Sequence, residues 1–316
     1  MKLKKAILCV IICTAAIGSV FARGEGFFGQ KAPGKIPEIF APGLISSDQM
    51  EFYLSFTGQM DMMIFCRVDR RNRRAPSQIL YMKKTGKQWS KPKPISYKVQ
   101  KGNGYFFFAP FGKDIYFSSR NPVRGRQYGK NIRKLWKLPF SGQAWKKPVP
   151  VDLCLDNEMD VGHVTFTEDR SAYFYSRSLT SAKDEADIFS ARPGKNNQYK
   201  NIEALKGALN TVANECDPFV DPKGQYVLLA TSQHPKSKGD FDLFVSFKMK
   251  SGLWTEAINL DNPINTSSRE LYPRVSPDGR YLFFSSNRSG NWEIYWVDAG
   301  IIDKLHQSYL SRTRGQ

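Results

Sequence analysis

The chain has 316 residues and a formal charge of +18. That length allows one large core, because all-β units of this size are often single domains. Three histidines and the absence of any CxxC pair exclude multi-histidine and cysteine-rich metal centres, so neither a metal nor a cofactor is expected.

Residues 1–22 (MKLKKAILCVIICTAAIGSVFA) read as a secretory signal peptide. Lys2, Lys4 and Lys5 form a basic start, and Ala6 to Ile17 is an apolar run too short for a comfortable membrane span. Val20-Phe21-Ala22 resembles a small-x-small cleavage site. Lipidation at Cys13 is the weaker alternative, since Ile12 stands where a small residue is needed. Losing three lysines lowers the formal charge from +18 to +15. A periplasmic or secreted location argues against nucleic acid as the reason for that charge. The expected partner is an envelope protein or peptide, or an anionic glycan or lipid surface; a generally basic soluble protein is the bland alternative. No later stretch is long and apolar enough to form a membrane helix, and a monomer is expected. Of the cysteines, Cys66, Cys154 and Cys216 follow the leader; three buried thiols are expected, with one disulfide plus one thiol as the alternative.

Beyond a Pro- and Gly-rich segment, 24–42, the chain repeats. Five copies of a turn followed by an aromatic strand begin at Leu54, Phe106, His163, Pro218 and Pro273, which lie 52, 57, 55 and 55 residues apart. Trp89, Trp145, Tyr199 and Trp254 recur 56, 54 and 55 apart and mark a later element of four copies. The last copy is the clearest: Tyr272 to Ser276 is extended, Pro277-Asp278-Gly279 is a tight turn, and Tyr281 to Ser286 and Glu293 to Val297 are dense in β-formers. Four strands per period of this length predict an all-β fold, a β-propeller of five four-stranded blades over residues 23–316. The count becomes six if Gly24 to Ile45 hides a degenerate copy. The fifth copy lacks its own outer strand, and Phe27 to Phe40 is expected to supply it. Ala299 to Leu310 places Ile301, Ile302, Leu305 and Tyr309 on one helical face and predicts a short helix at 299–310 beside the last blade.

The run SPDG…F-x-S-x-R-x-G…I-Y of the last copy resembles the WD-like, PD-type repeats of TolB-like propellers, and the opening GFFGQKAPGKIPEIFAPG resembles the start of extracytoplasmic members of that group. The resemblance covers nearly the whole chain after the leader. Copies one to four are degenerate: Thr57-Gly58-Gln59-Met60 lacks the turn signature, and Thr167-Glu168-Asp169-Arg170 lacks its glycine. What the resemblance implies is a face that engages envelope proteins.

Three residues before each copy stand Glu51, Asn103, Asp160, Glu215 and Glu270. Two further on stand Tyr53, Tyr105, Gly162, Asp217 and Tyr272, and the second strands end in Arg67, Arg120, Arg177 and Arg288. The functional expectation is a channel mouth, lined by Glu51, Asp160, His163, Glu215, Asp217, Glu270 and Tyr272, that takes a cation, an amine or a peptide. The structural alternative is that each acid is bound by an arginine or a backbone amide and fixes blade register. Insertions between second and third strands collect Arg70, Arg71, Arg73, Arg74, Arg124, Arg126 and Lys130 on one face, where loops on a rigid scaffold bind partners. His234 is read as lying in an exposed loop, and 155–160 as a solvated acidic loop. No G-x-S-x-G elbow supports nucleophilic catalysis. The expectation is therefore a non-catalytic binding or scaffold propeller. The alternative is a polysaccharide-processing enzyme, lyase or glycoside-hydrolase-like, working around Asp160, His163, Glu215 and Asp217.

Overall fold

The structure, a computed structural model, describes residues 27–97, 100, 103–123, 132–178 and 186–314. The expected leader and Arg124, Arg126 and Lys130 lie outside the described residues.

Five antiparallel sheets stand around a central channel, and the protein is a five-bladed β-propeller. The inner strands are Met50–Phe56, Gly104–Phe108, Met159–Phe166, Asn214–Val220 and Glu270–Val275. Each runs out through a second and a third strand to an outer one. The fifth blade is completed from the other end of the chain: Glu38–Ile39 pairs with Glu293–Asp298, Glu38 opposite Trp296 and Ile39 opposite Tyr295. Phe40 is fully buried beside this seam, edge-on to Phe283 with centroids 4.9 Å apart.

The core is five apolar wedges, each between two neighbouring blades. Period-2 alternation feeds both wedges of a blade: Leu228 and Ala230 face blade five, while Val227 and Leu229 face blade three. Neither face of a blade is left to water, which is why the second strands read as unbroken apolar runs rather than alternating ones. The helix expected over 299–310 runs over Gly300–Arg314. It packs across blades four and five rather than on the last blade alone, with His306 stacked 4.5 Å from the Phe247 ring.

No disulfide joins Cys66, Cys154 and Cys216. Cys66 is buried in its strand as expected, but Cys154 is exposed, because it sits in the loop after the outer strand of blade two. His234 corrects the exposed-loop reading: it is 8% exposed and packs 4.6 Å from Phe244.

Candidate functional site

Every inner strand is interrupted at the same place. The pairing between inner and second strands slips between Phe52 and Ser55, Gly104 and Phe107, Val161 and Val164, Cys216 and Phe219, and Leu271 and Arg274. A bulge re-aims the side chain it carries. In four blades the bulged residue has left-handed backbone: Tyr53 at φ 59°, Tyr105 at 58°, Asp217 at 51° and Tyr272 at 57°. That conformation is strained for a bulky residue, by roughly 1–2 kcal/mol each. Its recurrence at the channel is the kind of outlier that accompanies function.

The bulges gather a tier of tyrosines. The Tyr53 and Tyr272 rings lie 4.3 Å apart, and Tyr53 and Tyr105 lie 5.6 Å apart. Tyr175, from the second strand of blade three, brings its hydroxyl 2.6 Å from that of Tyr105. Burial raises all four phenols, so all are neutral donors at ordinary pH.

One layer further in, His163 is stacked on Tyr105 and is 1% exposed. Arg274 Nη2 lies 2.6 Å from His163 Nε2. Since a guanidinium can only donate, that nitrogen accepts and the proton sits on Nδ1, facing Asp217 Oδ1 at 3.7 Å. Burial and the Arg274 charge hold His163 well below its ordinary value, so it is neutral. Burial pushes the Asp217 carboxyl up to about 8, against the Tyr272 amide and the charges of Arg133 and Arg274. Burial pulls Arg274 down to about 9, so it stays charged at neutral pH.

The mouth of the channel, on the face where the inner strands begin, is a cavity of about 680 Å³. Arg120, Arg133, Arg177, Tyr105, Tyr175 and Tyr272 line it, together with Asp160 and Asp217. Arg133 lies over the Tyr105 ring at 5.0 Å and clasps Asp160, its Nε 3.1 Å from both carboxylate oxygens. Arg133 thus neutralises Asp160, and burial keeps Asp217 largely protonated at neutral pH.

The acid column divides. Glu51 is buried, takes hydrogen bonds from the Ser47 hydroxyl (2.6 Å) and amide, and pairs with Arg67 at 2.8 Å. Glu270 is buried against Thr266, Ser286 and Arg288. Glu215 is buried and accepts from the Thr211 hydroxyl at 2.6 Å, and burial raises it to about 7. Neither these three nor His163 lines the mouth cavity; only Asp160, Asp217 and Tyr272 of the seven expected residues do. Glu51, Glu215 and Glu270 are thus held at the start of their own inner strands, the role that the structural alternative gave them. Among the described residues, no cluster of three or more His, Cys, Asp and Glu forms a metal site.

Arg70, Arg71, Arg73 and Arg74 are exposed on the loop after the second strand of blade one. The Arg70 amide bonds Gln49 Oε1 at 3.1 Å, next to the start of the inner strand, so this loop is on the mouth face. Sequence reasoning missed Arg133, Arg274 and Tyr175. Arg274 alone carried a signal, a charge at an inward position of an apolar inner strand.

No family model matches the chain, and no curated protein matches it. Solved structures do. The chain resembles a glycoside hydrolase with 11% identity, over 85% of this chain and 92% of that one, at a TM-score of 0.56. It resembles an oligogalacturonate lyase solved with manganese at 13% identity, over 80% of this chain and 66% of that one, at a TM-score of 0.46. A puromycin hydrolase is matched at 12% identity, over 82% of this chain and 39% of that one, at a TM-score of 0.39. The chain thus spans just under two thirds of the lyase and well under half of the puromycin hydrolase. The likeness to the glycoside hydrolase, at 11% identity, shows the propeller fold and nothing about activity.

Proposed function

We propose that the protein is an extracytoplasmic, TolB-like binding propeller that recognises a carboxylate-bearing ligand, an acidic glycan residue first among them, at the mouth of its channel. The observation that carries this is the cavity lined by Arg120, Arg133 and Arg177 over a floor of tyrosines. Guanidinium groups match carboxylates in planar, paired hydrogen bonds, and tyrosine faces and hydroxyls suit a sugar ring. The exposed Arg70 to Arg74 loop beside the mouth would steer an anionic partner towards it. The leader-like residues 1–22 support the location.

The test is calorimetric titration with uronate oligosaccharides, their neutral counterparts and acidic peptides. Uronates are expected to bind, and Arg120→Gln with Arg177→Gln to weaken them about tenfold or more. Preference for the peptide would move the reading to a protein partner. Equal binding of neutral and acidic sugars would end it.

One observation favours a second reading, a polysaccharide-processing enzyme. Asp217 faces the cavity with its carboxyl raised to about 8, the state a general acid needs near neutral pH. Turnover of the same uronates, lost in Asp217→Asn, would establish it, whereas binding without turnover would exclude it.

A further inference from the structure

The channel has a second cavity on the opposite face of the disc, where the inner strands end. Its volume is about 370 Å³, and Phe56, Phe108, Phe166, Phe219 and Val275 form the apolar part of a lining that is otherwise polar. Arg274 reaches it from the channel wall and is 8% exposed. The guanidinium is held between two aromatic rings, 5.0 Å from the centre of Phe107 and 5.6 Å from that of Phe219.

Arg274 is a buried cation whose one polar partner among the described residues is His163 Nε2, which is neutral. Among the described residues it makes no ion pair. Asp217 lies beyond His163, on the mouth side, and burial keeps it largely protonated at neutral pH. Taking a charge out of water without an opposite charge is costly. A guanidinium has five donors and the histidine takes one, so the edge turned to the cavity can hold an anion in a two-pronged bond.

The surroundings narrow the choice of anion. Glu168, Asp221, Asp278 and Lys223 line the same cavity. Asp221 accepts from the amides of Lys223 and Gln225, and Asp278 from Ser276 Oγ and the Arg280 amide. These carboxyl groups disfavour a polyanion, while the phenylalanines favour an apolar body. We infer that this cavity is a binding site for a small organic monocarboxylate, its carboxylate on Arg274 and its apolar part against the phenylalanines. It lies on the face away from the mouth and does not depend on the reading given there.

Benzoate, its neutral analogue benzamide, and sulfate are suitable probes for calorimetry on the chain from residue 23. Benzoate is expected to bind at least about tenfold more tightly than either of the others. Arg274→Met should abolish that preference. Because this change alters the channel interior, Lys223→Glu serves as an exposed second variant. It adds a negative charge to the cavity and should weaken benzoate about threefold or more, leaving the fold intact. Equal affinity for benzoate and benzamide, tighter binding of sulfate, or benzoate binding unaltered in Lys223→Glu would each overturn the assignment.

Discussion

The ring of Tyr175 occupies the space that a Cβ on residue 162 would need. Blade three has glycine where three other blades carry tyrosine and one carries aspartate, and a tyrosine from the adjacent strand fills the gap. Its hydroxyl then reaches Tyr105 beneath Arg133. Gly162→Ala is predicted to cost about 1–3 kcal/mol through overpacking. In a urea-unfolding double-mutant cycle with Tyr175→Leu, the two sites should couple by about 0.5–3 kcal/mol. Strict additivity would show that the ring and the glycine are independent.

The N-terminal strand closes the ring, so its loss should be global. Phe40 is fully buried among Phe283, Trp296 and Phe27. Phe40→Ala is predicted to destabilise the whole domain by about 3–5 kcal/mol. Tryptophan fluorescence and far-ultraviolet dichroism should then report one shared unfolding midpoint. Separate midpoints would mean that the seam frays while the other blades stand.

Stability should fall as pH rises from about 6.5 to 8. Asp217, at 3.8 in the unfolded chain, is raised to about 8 by burial, and Glu215 is raised from 4.5 to about 7. The native state therefore keeps protons that the unfolded chain has released, and their stabilisation is lost as pH climbs through the folded values. Burial depresses His163 and His234 below 6.5, so below that value they act in the opposite sense and offset the slope that the two acids impose. Urea midpoints across pH 6.5–8 should decline in the natural protein and flatten in Asp217→Asn. An unchanged slope in that variant would assign the effect elsewhere.

The basic loop should set salt dependence rather than specificity. Arg70, Arg71, Arg73 and Arg74 are exposed, and at physiological salt their field decays within about 8 Å. Replacing all four with glutamate should abolish salt-sensitive binding to envelope fractions. Binding that survives the reversal would remove this loop from the partner surface.

Much of the fold was legible in the sequence. The turn, the aromatic strand and the later Trp or Tyr recur on one period, so five blades and the borrowed outer strand follow from residue types alone. The site was legible only in position. Glu51 and Glu270 recur at the right place, but a repeat cannot say whether a carboxylate faces the channel or turns back to Ser47, Thr266 and its arginine. The left-handed bulge that aims Tyr53, Tyr105, Asp217 and Tyr272 inward leaves no mark on residue types, since tyrosine rarely adopts that conformation. Arg133 lies outside the repeating core of its copy, so no alignment of copies would pair it with Asp160.

The most direct test of the central claim is a crystal structure of the chain from residue 23 soaked with a uronate disaccharide. The account predicts ligand density in the mouth cavity, with a carboxylate against Arg120, Arg133 or Arg177 and a sugar face on Tyr105 or Tyr272. Ligand seated only on the Arg70 to Arg74 loop, or a cation bound at Asp160 and Asp217 in its place, would contradict it.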